Sequence, residues 1–161
     1  MEPMITISFR AAREAARHIV RAYDRPDLVK VREKGPNDFV TNVDQEAEQI
    51  ITDSLRKTFP EHRITGEESG DLLVNDDSEH QWVIDPIDGT TNFSRQIPHF
   101  CVSMACLHRG KLLHGVIINP ITGEEFVATR GKGAQLNGKK IRVSSEERFE
   151  GALVASAGSY S

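Results

Sequence analysis

Cysteine is scarce in this sequence: Cys101 and Cys106 are the only two among 161 residues. They stand five apart in a strand-like segment, on opposite faces, which argues against a disulfide between them. A disulfide scaffold is therefore not expected, and a reducing cytoplasm is the expected compartment. Long apolar runs are missing too. None approaches the roughly 20 residues that a membrane span needs, and the N-terminal stretch has no uninterrupted apolar h-region of a secretory leader. Neither sign of charge dominates, with 20 basic and 24 acidic residues giving −4. That balance gives no direct nucleic-acid signal and no basic membrane surface. Internal repeats and low-complexity segments are absent as well.

What remains is ordinary globular composition, 38% hydrophobic and 27% charged, in a chain long enough for one domain with a real core. Ile5, Phe9, Ala12, Ala16, Ile19 and Tyr23 recur at helical spacing and predict a helix opened near Pro3 and stopped by Asp24-Arg25-Pro26. A second helix is predicted from about Val43 to Thr58, with Val43, Ala47, Ile50, Ile51 and Leu55 inward. Lys34 to Asp38 reads as a polar loop between them.

After His62 the period changes to two. Strands are predicted at His62–Thr65, Gln81–Ile84, Phe100–Leu107, Leu112–Ile118, Glu124–Thr129 and Ile141–Val143. Arg109-Gly110-Lys111, Asn119 to Gly123 and Asn137-Gly138 supply the turns. Two helices followed by a largely antiparallel sheet indicate an α+β fold. Residues 1–143 are expected to form this domain. Residues 144–161 read as a linker and the start of a second, truncated α/β domain, or as a C-terminal edge strand.

The chemistry gathers around Trp82 to Phe93, WVIDPIDGTTNF. Asp85 and Asp88 would lie where Pro86 stops the ladder of a buried strand. Two carboxylates so close repel unless a cation lies between them, and oxygen-only ligands select a hard ion such as Mg²⁺. Gly89-Thr90-Thr91 would then open a turn whose N–H groups can meet phosphate. The alternative is a capped turn in which Asp88 bonds its own backbone. Glu67, in Gly66-Glu67-Glu68-Ser69, could reach the same sheet end or simply face solvent. Asp44, in Thr41-Asn42-Val43-Asp44, could serve the site or be a first-turn acid favoured by the helix dipole.

These three groups, in this order, resemble the metal motifs of the inositol monophosphatase family, in its bacterial SuhB type, from Met1 to about Val154. The resemblance implies the first half of that family's layered αβαβα fold. It implies one Mg²⁺ held by Glu67, Asp85 and the Ile87 carbonyl, and a second shared by Asp85 and Asp88. It makes Asp44, Thr90 and Glu67 catalytic, with Thr90 hydrogen-bonded to Asp44 to orient and deprotonate the attacking water. The Gly89 and Thr90 amides would hold phosphate, and Lys34 would belong to a loop near a third metal position.

The implied activity is hydrolysis of myo-inositol 1-phosphate, with sensitivity to lithium. Other sugar phosphates, fructose 1,6-bisphosphate and nucleotide 3′-phosphates are the related substrates. A homodimer and a role in transcription antitermination and ribosome biogenesis, through NusA and RNA polymerase, are implied as well. One departure stands out: the family's W-D-x-A-A-G motif, whose aspartate completes the second metal site, is not among these 161 residues. The chain alone is therefore expected to be weakly active or inactive.

Other patterns carry less. Gly133 to Lys140 nearly matches a P-loop, but Lys140 stands where the hydroxyl should be and strands flank it. His99, His108 and His114 lack partners at zinc spacing.

Overall fold

The computed structural model describes residues 3–36, 38–72 and 77–155. Helix α1 spans Pro3–Tyr23 and α2 spans Asn42–Thr58. Thr41 caps α2: its hydroxyl accepts from the Val43 and Asp44 amides while the Asp44 carboxylate accepts from the Thr41 amide. This reciprocal arrangement satisfies donors that a helix start leaves unpaired. It also fixes Asp44 as a buried residue of the first turn.

Among the described residues ten strands follow in sequence order: β1 Val31–Gly35, β2 Asp38–Thr41, β3 Arg63–Gly66, β4 Gly70–Leu72, β5 His80–Asp88, β6 Cys101–His108, β7 Lys111–Asn119, β8 Glu124–Thr129, β9 Gly133–Leu136 and β10 Lys139–Ile141. Among the described residues β1 and β2 form a separate hairpin, and the rest make one sheet in the order β10-β9-β8-β7-β6-β5-β3-β4. Its pairs are antiparallel except β3 with β5, which run parallel. The α+β reading from the periodicity holds.

Both helices pack on one face. Ala11, Ala12, Ala15 and Ala16 are buried on α1, so its backbone can approach β6 and β7 closely. Val102, Met104 and Cys106 on β6, with Val116 and Ile118 on β7, alternate into the same core. Each large apolar side chain fully buried there contributes roughly 1.5–3 kcal/mol. Arg13 of α1 adds a two-pronged ion pair with Glu125 of β8, both contacts 2.6 Å.

The N-terminal end of β5 is closed by rings. Phe59 stacks on His62 at 4.7 Å, His62 on His80 at 4.7 Å, and His80 on His108 at 4.6 Å between centroids. Buried Trp82 donates its indole N–H to His62 Nδ1 at 3.0 Å. Burial, and then the neighbouring imidazole, lowers the pKa of both His62 and His80.

Four expectations need correction. Lys34 lies in strand β1, not in a loop, because Val31–Gly35 pairs with Asp38–Thr41; Asn37, part of the expected loop, lies outside the described residues. Pro86 does not end β5. The register jumps from Asp85↔Ser103 to Asp88↔Cys101, so the proline, which has no N–H to donate, sits in a bulge. The last strand starts at Lys139, earlier than expected, because Asn137 and Gly138 alone form the turn, both at positive φ. Finally, no strand forms at Ala152 to Ala155; residues 142–155 carry no regular element, and Val143 and Leu153 are exposed.

Candidate metal centre

Parallel pairing brings the acids together. Gly66 of β3 is in register with Ile84 of β5, and the Glu67 amide donates to the Ile84 carbonyl at 3.0 Å. Glu67 therefore leaves β3 at the point where Asp85 leaves the core of β5. The bulge after Asp85 then carries Pro86, Ile87 and Asp88 across the sheet end. Ile87 is buried, which anchors the bulge, whereas Asp88 is exposed.

Asp85 has the most telling surroundings. Its pKa is pushed up to about 8 by burial first, then by the Glu67 carboxyl within hydrogen-bonding reach, then by repulsion from Asp88 and Asp44. Its Oδ1 is buried without a hydrogen-bond partner among the described residues. An orphaned carboxylate oxygen with the carboxyl groups of Glu67, Asp88 and Asp44 around it fits a hard divalent cation. Among the described residues no three Asp, Glu, His or Cys side chains are tight enough to hold an ion by themselves. The Ile87 carbonyl, or a drawing-together of the carboxyls, has to complete such a site.

Behind the acids lies a hydrogen-bonded pair. Thr90 opens the short helix α3, Thr90–Ser94. Its hydroxyl lies 2.8 Å from Asp44 Oδ1 and 3.0 Å from the Ile87 carbonyl. Asp44 Oδ2 accepts from the amide and hydroxyl of Thr41. Burial raises the Asp44 pKa, against these hydrogen bonds. Gly89 makes the turn possible: its φ is +100°, and a Cβ there would lie 3.1 Å from the His99 carbonyl and 3.1 Å from Phe100 Cβ. The Asn92 side-chain amide closes the same loop by donating to the His99 carbonyl at 2.7 Å.

Lys34 reaches the site from β1. Its Nζ lies 2.9 Å from Glu68 Oε1 and 3.8 Å from Glu67 Oε1. Burial opposes the charge on Lys34, but the Glu68 and Glu67 carboxylates outweigh it and raise its pKa. Glu68 itself is raised by burial, with Lys34 working against the rise.

The site reading from the sequence thus falls at one sheet end: Lys34, Asp44, Glu67, Asp85, Ile87, Asp88, Gly89 and Thr90. It missed Glu68 as the partner of Lys34. It also missed Glu48, a buried acid one turn beyond Asp44. The available signal was an acid four residues along on a stripe of inward positions. His99 contributes through its backbone, His108 joins the ring stack, and His114 Nδ1 pairs with Thr129 at 3.0 Å. The P-loop-like stretch falls on β9, its turn and β10.

Known proteins give the arrangement a lineage. The pattern of the inositol monophosphatase family matches residues 1–161. The Nus factor SuhB of Pseudomonas aeruginosa is 49% identical over 155 residues, covering 96% of this chain and 57% of that protein. The crystal structure of the extragenic suppressor protein SuhB from Bartonella henselae superposes with a TM-score of 0.88 at 41% identity, over 91% of this chain and 57% of that one. The Thermotoga maritima IMPase gives 0.80 at 35% identity, over 89% and 55%. This chain therefore spans a little over half the length of these relatives. On the strength of the whole-chain match and the shared fold, it belongs to the inositol monophosphatase family.

Proposed function

We propose that the protein bearing this chain is a Mg²⁺-dependent phosphomonoesterase acting on myo-inositol 1-phosphate or a similar sugar phosphate. The observation that carries the proposal is Asp85, whose buried Oδ1 has no partner among the described residues and is ringed by further carboxylates. Glu67, Asp85 and the Ile87 carbonyl would hold one ion, with Asp85 and Asp88 contributing to a second. Mg²⁺ bound there supplies Lewis-acid charge at phosphoryl oxygens and acidifies a coordinated water.

The chain's own groups do the remaining work. The Thr90 hydroxyl donates a hydrogen bond to Asp44 Oδ1, which leaves an oxygen lone pair to accept from the attacking water; as the water's proton passes to Thr90, the Thr90 proton passes to Asp44. Thr41 holds Asp44 from the other side, so the acceptor does not rotate away. The first amides of the Gly89-Thr90 turn face incoming phosphate oxygens as donors. Lys34 offsets the charge of Glu67 and Glu68.

The acid of the W-D-x-A-A-G motif is not in the sequence, so the 161-residue chain alone is expected to be weak or inactive. The test is phosphate release from myo-inositol 1-phosphate, by this chain and by a form completed to the length of its relatives. The completed form should need Mg²⁺ and lose nearly all turnover on Asp88→Asn with an unchanged circular dichroism spectrum. A variant that kept most of its rate would contradict the assignment, as would full activity in the 161-residue chain.

The name Nus factor, borne by the SuhB relatives, supports a second reading, a partner of NusA and RNA polymerase, for which we propose a cytoplasmic homodimer. A pull-down with those two proteins, using the Asp88→Asn variant, separates this role from catalysis.

A further inference from the structure

Glu48 is a carboxylate that the proposed chemistry does not use. It lies on α2 one turn after Asp44, 2% exposed. Its Oε2 accepts from the Glu68 amide at 2.9 Å, and its Oε1 has no hydrogen-bond partner among the described residues. The neighbouring backbone is shaped around it. A Cβ added at Gly66 would lie 2.3 Å from Glu48 Cδ and Oε2 and 2.6 Å from Oε1, so residue 66 has to be glycine for the carboxylate to stay. A buried carboxyl group with one oxygen left without a partner among the described residues is costly, and hydrophobic packing would fill the same space more cheaply. Its retention points to a task of position.

The two ends of that task are visible. Asp44 holds Thr90, which belongs to the turn after β5, through a 2.8 Å hydrogen bond. Glu48 holds the amide of Glu68, next to Glu67, in the turn after β3. Both acids project from the same face of one helix, four residues apart. Helix α2 therefore acts as a rigid bar that sets the separation between the two arms of the metal centre.

Resting on the phosphatase reading of that centre, we propose that Glu48 is a positioning residue for metal binding. By gripping the Glu68 amide it orients the Gly66–Glu67 backbone, so that the Glu67 carboxylate meets the ion shared with Asp85. The property that matters is the reach of an oxygen acceptor, not the negative charge.

Two conservative variants separate those properties. Glu48→Gln keeps both the length and an oxygen acceptor but loses the charge; Glu48→Asp keeps the charge but falls a methylene short of the Glu68 amide. Mn²⁺ binding would be titrated on the 161-residue chain by electron paramagnetic resonance, well below the melting temperature of each variant. Exchange of the Glu68 amide would be followed by NMR in the same samples. Glu48→Asp should weaken Mn²⁺ by about tenfold, the size expected when a residue supporting a metal ligand is lost, and should speed Glu68 exchange by at least about tenfold. Glu48→Gln should stay within about threefold of the parent in both.

A role in stability alone would lower the melting temperature of either variant and leave the Mn²⁺ affinity of the folded chain unmoved, which would overturn the inference. So would retained affinity in Glu48→Asp with loss in Glu48→Gln. Asp85→Asn serves as the reference. If it abolishes binding while Glu48→Asp binds normally, this inference fails and the metal centre stands. If Asp85→Asn binds Mn²⁺ like the parent, or the parent binds none, the metal centre fails and Glu48 with it.

Discussion

The two ends of strand β5 are built on opposite principles. At its start, His80 sits in a column of four rings, with Trp82 donating to His62. The groups there favour neutrality, since burial disfavours charge on His62 and His80. At its finish, Asp85 sits among Glu67, Asp88 and Asp44, each of which raises its pKa. One end is satisfied internally by stacking and a hydrogen bond. The other gathers acids around Asp85, with Lys34 set against Glu68 and Glu67 at its edge. On the function proposed above, a single strand carries a stability device at one end and a binding device at the other.

The largest break in this contrast should come from Asp85→Asn. It should reduce Mg²⁺ affinity by at least about 100-fold, the upper end of what losing even a supporting contact costs. It should also raise the melting temperature of the metal-free chain by about 2–4 °C, if relief of repulsion contributes roughly 1 kcal/mol. Calorimetric titration and thermal melting check the two halves. A fall in metal-free stability would show that the acidic end is not strained.

At the other end, Trp82→Phe should cost about 1–3 kcal/mol by leaving half-buried His62 Nδ1 without its donor. Denaturant unfolding measures that cost, and Mg²⁺ affinity should stay within about twofold. If affinity collapsed, the two ends would not be independent.

The smallest effect is a slope with pH. His62 and His80 have folded-state pKa values below the roughly 6.5 of an unfolded chain. Their stabilising contribution is therefore fully present above about pH 6.5. It is lost as pH falls from there through the folded values, because the unfolded chain takes up protons first. Glu79 and Arg109 face His108 at the rim and hold each other at 2.6 Å, and Glu79 alone works against the fall for His80. Asp85, its pKa raised to about 8, adds stability as pH falls through the same range and opposes this slope. The slope is therefore read in Asp85→Asn: there the melting temperature should drop between about pH 7 and 5.5, and adding His80→Gln should flatten that drop.

How much of this was legible in the sequence follows from the range of the interactions. The 3.6 period of Ile5 to Tyr23 and the alternation of Glu124–Thr129 are local signals, and both elements appear where they predict. Strand β1 is not legible in the sequence, because Arg32, Glu33 and Lys34 give no alternating apolar face, and only the polar stretch from Lys34 to Asp38 stands out there. The ring column is invisible in sequence because its members come from a loop and two strands brought together by register, with His80 opposite His108.

The proposed site is legible in part, since WVIDPIDGTTNF sets Asp85 and Asp88 three residues apart in one turn. Its supports are not. Glu68 and Glu48 look like surface acids until the packing of α2 against the β3–β4 turn buries them.

The central claim, that this sheet end binds a divalent cation through Glu67, Asp85, Ile87 and Asp88, meets its most direct test in a crystal soaked with Mn²⁺ and measured at the manganese edge. The account predicts an anomalous peak within about 2.0–2.6 Å of a carboxylate oxygen of Asp85 and of the Ile87 carbonyl. A map with no peak there, or with its strongest peak at the histidine end of β5, would contradict it.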